Sequence, residues 1–182
     1  MKYPIHDSKE PQEISLRLEQ FDDIYSDFDI RPYSKRSLSI DFLNEIKRAS
    51  LDKNSGGIKL VLYALDKDRN ESLEAAIRER LTEHFKKHHK LLIKEKWEVL
   101  RLGIGMMVLG IISMIAATLI VAKDPTDNLY MSFMVVFLEP AAWFLLWEGM
   151  DQIIFTSKNI YPDLNFYRKM SDSHGRISFE SY

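Results

Sequence analysis

Residues 102–122, LGIGMMVLGIISMIAATLIVA, contain no charged side chain. A helix of this length is about 30 Å long, which matches the thickness of the hydrocarbon core of a bilayer. A buried helix of a soluble protein is the alternative, but such helices rarely run so far without polar residues. The stretch therefore predicts a first transmembrane helix.

A second apolar stretch follows a short polar turn, residues 123–128 (KDPTDN). It starts near Leu129, reaches about Phe155, and is interrupted by three acidic residues: Glu139, Glu148 and Asp151. Because the turn is so short, the second helix has to return antiparallel to the first. The sequence therefore predicts a transmembrane hairpin over residues 102–155, with spans 102–122 and 129–155.

The distribution of basic residues predicts the orientation. Before the first span stand Lys86, Lys87, Lys90, Lys94, Lys96 and Arg101; after the second stand Lys158, Arg168 and Lys169; the turn offers only Lys123. Basic residues beside spans are retained in the cytoplasm, so we expect a multi-pass protein of the inner (cytoplasmic) membrane with both termini in the cytoplasm. The first residues lack the apolar region of a signal peptide. Amphipathic aromatic side chains near span ends are expected to lie at the membrane interface: Trp97, Trp143 and Trp147.

Three segments outside the hairpin have the pattern of strands. Residues 13–18 (EISLRL) alternate apolar and polar side chains, and residues 58–65 (IKLVLYAL) are rich in β-branched and aromatic residues. Residues 176–181 (RISFES) alternate again, so they could return as an edge strand that pairs with one of the other two. Between the first two strands, Ser39 is a candidate cap for a helix that ends near Ser50, with three inward side chains: Ile40, Leu43 and Ile46.

A long helix starts after the second predicted strand, capped by Asp68 or Asn70. Its apolar stripe consists of Leu73, Ile77, Leu81 and Phe85. No Pro or Gly interrupts this helix before Gly103, so the helix should continue into the first span. The predicted fold class is α+β: a cytoplasmic α+β region (1–69), a helical stalk (70–101), the hairpin (102–155) and a cytoplasmic C-terminal tail (156–182).

The order of these motifs resembles a widespread bacterial family of uncharacterised two-span membrane proteins. The resemblance rests on FDDIYSDFDIRPYSKRSLS (residues 21–39), on ESLEAAIRERLTEHF (71–85), and on the W-x-x-x-W motif with its following acid: Trp143, Trp147 and Asp151. The family often has Arg-Pro after the second Trp, where this chain has Glu148-Gly149, so the role of that arginine is not carried over. The resemblance implies a two-span topology with an N-terminal cytoplasmic α+β domain, and it implies no activity.

Small residues recur every seven positions in both spans. The first stripe is Gly103, Gly110 and Ala117; the second is Val135, Ala142 and Gly149. Small residues let membrane helices approach closely, and a turn centred at residue 126 pairs Gly103 with Gly149 and Gly110 with Ala142. The same register predicts a hydrogen bond between Ser113 and Glu139 and an interfacial ion pair between Arg101 and Asp151.

Glu139 stands near the middle of the second span, where an ionisable residue is costly and is a candidate functional group. A structural glutamate at a helix contact is the alternative. His84 and His88 have the i, i+4 spacing of metal ligands, but a solvated basic face explains them equally, and we predict neither a metal nor a cofactor. Arg78 and His84 match the R-x5-H spacing of HEPN-type ribonucleases, a pattern that also arises by chance in charged helices.

These observations favour an oligomeric membrane protein whose cytoplasmic domain senses or recruits a partner, with formation or gating of a pore as one possible role. A membrane anchor or scaffold for a soluble protein is the alternative, and a HEPN-like ribonuclease is a weaker one. The chain has no cysteine and a net charge of -2. Cysteine chemistry is therefore excluded, nucleic acid is not an expected partner, and an enzyme is less favoured than a non-enzyme. The expected partners are the lipid bilayer, further copies of the chain and a soluble protein.

Overall fold

Two compact units divide the chain. The first consists of Met1–Lys90 and Leu164–Tyr182, and the second is Leu91–Asp163. The structure, a computed structural model, describes residues 12–51, 53, 58–123, 128–171 and 177–182. Because the second unit lies between two parts of the first, it is an insertion within the first unit.

The first unit contains a three-stranded parallel sheet. Its strands are β1 (Gln12–Arg17), β2 (Ile58–Ala64) and β3 (Ile177–Ser181), in the order β1-β2-β3. Leu60 of β2 is level with Ile14 of β1 and with Ile177 of β3. The alternating C-terminal segment is thus an edge strand beside β2, and β2 is the central strand, as its nearly continuous apolar sequence favours.

Parallel neighbours require crossover connections. The first crossover contains a 3-10 turn (Phe21–Ile24) and helix α1 (Ile40–Ser50). The second crossover, from β2 to β3, contains a 3-10 turn (Asp66–Asp68), α2 (Glu71–Val121), α3 (Leu129–Asp151), a π-helical turn (Gln152–Thr156) and α4 (Ser157–Ser171). The apolar helices are therefore inserted into one connection between adjacent strands.

Helix α1 begins directly after its predicted cap, Ser39, but the face that it buries differs from the predicted one. The Ser39 Oγ accepts a hydrogen bond from the Phe42 amide at 3.4 Å. Phe42 and Ile46 are buried, whereas Ile40 is 75% exposed. The predicted inward position of Ile40 is wrong because it lies about 200° around the helix from Phe42, and Phe42 faces the core.

One hydrophobic cluster joins the helices to a single face of the sheet. Ile77, Leu81 and Phe85 of α2 are completely buried, which confirms most of the predicted stripe. They belong to the same cluster as side chains from β1, β2, β3 and α4: Ile14, Leu60, Leu62, Phe166, Met170 and Phe179. The core of the first unit is therefore formed by helices packed on one face of the sheet.

The start of α2 is fixed by polar side chains. The Asn70 Oδ1 accepts hydrogen bonds from the amides of Ser72 and Leu73 at 3.1 and 3.3 Å, so Asn70 is a cap. Arg69 donates to both carboxylate oxygens of Glu74 at 2.7 and 2.9 Å. A buried carboxylate requires such a partner, and this pair satisfies Glu74, which is only 5% exposed.

Helix α4 is not indicated by the sequence, which predicts only a tail with a final strand in this region. Polar residues and Pro162 hide the helical periodicity of Ser157–Ser171. Phe166 and Met170 are nevertheless buried against the core of the first unit. Tertiary packing therefore stabilises this helix where local propensity does not.

Candidate functional site in the apolar helix pair

The second unit exposes most of the apolar surface of its helices. Among the residues that the structure describes, two helices are long and apolar enough to cross a membrane, within Glu71–Val121 and Leu129–Ser171. Only 11% and 6% of their most apolar windows are buried. A core helix of a soluble protein would be mostly buried, whereas here Ile115 and Phe144 are 54% and 64% exposed.

Small residues form the contact between α2 and α3. A methyl group built on Gly103 would lie 2.8 Å from the carbonyl oxygen of Gly149, and one on Gly110 would lie 3.0 Å from that of Ala142. Ala117 and Ala142 are 2% and 0% exposed. The structure thus brings Gly103 to Gly149 and Gly110 to Ala142, at a separation that leaves no room for side chains.

The structure does not bring Ser113 and Glu139 together. The Ser113 hydroxyl donates to the carbonyl of Leu109, one turn back in its own helix, at 2.9 Å. The Glu139 side chain is exposed and has no hydrogen bond or ion pair within the described residues. The predicted bond is wrong because equal depth along two helices does not fix the direction in which each side chain points.

Glu139 instead lines an open recess on the outer surface of the helix pair, formed with Met114, Ala117, Thr118, Val136, Pro140 and Trp143. Pro140 has no amide hydrogen, so the Val136 carbonyl lacks its usual helical donor. Glu139 stands ten residues after Leu129 and nine before Glu148, which places it near the middle of the apolar part of α3. The recess therefore places a carboxyl group in largely apolar surroundings.

Arg101 and Asp151 form no ion pair with each other, so this prediction is also wrong. Each lies two residues from a contact glycine, Gly103 or Gly149. Two residues correspond to about 200° around a helix, so both side chains lie on faces turned away from the contact.

The three predicted interfacial tryptophans are all exposed. Trp97, Trp143 and Trp147 are 65%, 67% and 70% exposed. Near Trp97, the Lys96 ammonium lies 5.9 Å from the centre of the Tyr161 ring. Trp143 lies one turn after Glu139 and lines the recess, so its position differs from that of the other two.

The histidines of the first unit belong to an aromatic cluster. The rings of His84 and His88 lie 4.2 Å apart, and His88 stacks on Tyr167 at 5.2 Å. The Nε2 atom of His84 is buried without a hydrogen-bond partner among the residues the structure describes. Burial lowers the pKa of His84 to about 4, with smaller contributions from the positive charges of His88, Arg80 and Lys87.

This cluster does not support the R-x5-H interpretation. The Arg78 Nε donates to the carbonyl of Ile177 in β3 at 2.9 Å, so this guanidinium holds α2 to the sheet. Arg78 and His84 are six positions apart in the sequence, which places them about 120° apart around α2, on different faces of the helix. Within the described ranges, no group of three potential ligands accompanies the two histidines.

The half-buried His84 ring predicts acid sensitivity of the first unit. The folded-state pKa of His84, about 4, is below the value of 6.5 expected when unfolded. Above pH 6.5, His84 is neutral in both states and does not affect the free energy of unfolding. As the pH falls toward 4, the unfolded state binds a proton before the folded state does, so the free energy of unfolding decreases. Discounted for the partial exposure of the ring, the loss is about 1–2 kcal/mol at pH 5.

Thermal unfolding in detergent between pH 7 and pH 4.5 measures this loss. The His84→Phe variant should lose less stability over this range than the wild type. An identical pH dependence in the two proteins would show that His84 does not cause the effect.

Comparison with family models, curated proteins and solved structures finds no match for the chain. The family resemblance of the motifs therefore stays a prediction.

Proposed function

We propose that the chain is a multi-pass protein of the cytoplasmic membrane that crosses the bilayer twice, with its first unit in the cytoplasm. The largely exposed apolar surfaces of α2 and α3 support this proposal. The sheet supports it further: β2 precedes the helix pair and β3 follows it, yet the two strands are hydrogen-bonded neighbours. Two crossings return the chain to the side on which it started, whereas one crossing would separate β2 from β3.

The position of Glu139 supports the assembly of several copies. A carboxyl group exposed to lipid at mid-span is costly, and intramembrane ionisable residues usually face other helices or a water-filled cavity. Within one copy, Glu139 has no partner among the described residues. Several copies could assemble with their recesses facing inward, so that each Glu139 lies in a shared interior and not in lipid.

The proposed function is therefore an oligomer whose interior, lined by Glu139, conducts ions across the membrane, under the influence of the cytoplasmic first unit. Two helices alone cannot enclose a pathway, so conduction requires several copies. The alternative is a membrane anchor for a soluble partner. The insertion of the helix pair into one crossover favours it, because the first unit is then tethered through both of its connections.

The mass of the purified complex in detergent and ion flux from liposomes test these functions. We expect several copies per complex, flux above that of empty liposomes, and a loss of at least tenfold in the Glu139→Gln variant. Glu148→Gln is the matched control, because Glu148 lies near the end of α3 and accepts a hydrogen bond from Gln152 at 3.1 Å. An oligomer without flux would favour the anchor, and a monomer would contradict both assembly and conduction.

A further inference from the structure

Residues 26–37 form a closed loop in the first unit. The Ser26 amide donates to the carbonyl of Ser37 at 2.9 Å, and Tyr25 and Leu38 form an antiparallel bridge just outside it. The Arg80 Nε of α2 donates to the Arg36 carbonyl at 3.1 Å and so attaches the loop to α2. Both ends of the loop are therefore fixed to the core.

The interior of the loop is held by the carboxylate of Asp29. This group accepts hydrogen bonds from the Arg31 side chain at 2.7 and 2.9 Å and from the Ser37 amide at 2.7 Å. These contacts hold the pKa of Asp29 well below its usual range. On the other side, Arg36 and Tyr33 both donate to Asp22 at 2.8 Å. The loop is consequently preorganised.

Two large apolar side chains project from this loop. Phe28 and Ile30 are each 99% exposed. Removing apolar side chains of this size from water is favourable, and the hydrogen bonds of the loop prevent the pair from turning inward. Phe28 and Ile30, the tip of the loop, therefore form a small rigid projection that can bury its surface only against another molecule.

The charges beside the tip are self-complementary. Asp27 precedes it and Lys35 follows it; both are exposed and neither has an ion pair within the described residues. In a contact between two copies related by a two-fold axis, the same patch meets itself, so Asp27 of one copy attracts Lys35 of the other. A contact of this kind joins copies in pairs, so the proposed oligomer would contain an even number of copies. A contact of the tip with the recess beside β3 is less favourable, because that recess is lined by charged and hydroxyl side chains: Asp66, Arg69, Glu71, Glu74, Arg78 and Ser181.

We propose that the tip is a self-association surface, where Phe28 and Ile30 of one copy pack against the same residues of a second copy in the assembled protein. The inference rests on the proposed oligomer and names a contact outside the membrane. Two side chains per copy are far too few for a stable interface in solution, where about 1,200–2,000 Å² is usual. Copies already joined through their membrane helices have a high effective concentration, at which a small contact suffices.

Disulfide trapping of the full-length protein in liposomes tests this contact, since the chain has no cysteine of its own. The Ile30→Cys variant should form disulfide-linked dimers at least tenfold faster than Leu51→Cys, a matched control because Leu51 is 71% exposed in the same unit. Adding Phe28→Ser should slow trapping of the Ile30→Cys variant. Asp27→Lys should also slow it, and Asp27→Lys with Lys35→Asp should restore it.

Equal trapping rates for Ile30→Cys and Leu51→Cys in an intact oligomer would overturn the contact while leaving the proposed function in place. A monomer in liposomes would instead overturn the proposed function. A fluorophore attached to the Ile30→Cys variant tests the other possible partner of the tip, the lipid bilayer. Quenching of this fluorophore by spin-labelled lipids would show that the tip contacts the bilayer and would also overturn the proposal.

Discussion

Replacement of Phe85 by alanine is expected to lower the free energy of unfolding of the first unit by about 3–5 kcal/mol, the usual cost of removing a buried aromatic ring. Phe85 is 0% exposed. Its ring lies 6.1 Å from that of Phe166 and 6.3 Å from that of Tyr167, so it joins α2 to α4. Alanine would leave a cavity between these helices and remove both ring contacts.

Hydrogen exchange of the β2 amides in detergent measures this change, because the central strand opens only when the unit unfolds. Ile40→Ala is the control: it removes a large apolar side chain from a position that is 75% exposed and should change stability by less than about 0.5 kcal/mol. Similar losses in the two variants would contradict the assigned core.

Replacement of Gly149 by alanine is expected to destabilise the contact between α2 and α3 by about 1–3 kcal/mol, because overpacking forces the helices apart. The added methyl group would lie 2.7 Å from the Gly103 carbonyl oxygen and 2.7 Å from Cγ of Met107. The carbonyl cannot move without bending α2, so the two helices have to separate.

Gly105→Ala is expected to have the opposite effect and to increase stability. A methyl group there meets nothing within 4 Å, and alanine is favoured over glycine in a helix by about 0.5–1 kcal/mol. Titration of detergent micelles with a denaturing detergent, followed by tryptophan fluorescence, measures both variants, since all three tryptophans lie in the second unit. Equal effects of the two substitutions would contradict the observed helix contact.

The parts of the fold that the sequence predicts are those encoded locally. Residues 102–121 of the charge-free stretch lie within α2, and the stripe that ends at Phe85 follows helical periodicity. The glycines Gly103 and Gly149 meet because a short turn fixes the relative depth of two antiparallel helices. The relative depth of two residues along the helices follows from their residue numbers and the helical rise per residue, so it can be predicted from the sequence.

Other features depend on information that is not local. Helix α4 is stabilised by the burial of Phe166 and Met170, which no pattern in residues 156–171 indicates. The hydrogen bond expected for Glu139 and the ion pair expected for Arg101 are absent because they depend on how each helix is rotated about its axis. Rotation is set by packing of the contact stripe, and a small error in it turns a side chain from the contact to the surface. No sequence pattern indicates the 26–37 loop, because its hydrogen bonds link residues without any periodic spacing.

Accessibility of two single cysteines on intact spheroplasts tests most directly the claim that the chain crosses the membrane twice. Lys123→Cys lies in the turn between the helices, and Tyr182→Cys lies at the end of β3. A membrane-impermeant maleimide should label Lys123→Cys in intact spheroplasts, and it should label Tyr182→Cys only after the membrane is permeabilised. Equal labelling of the two variants on intact spheroplasts would place both positions on one side and contradict the transmembrane hairpin.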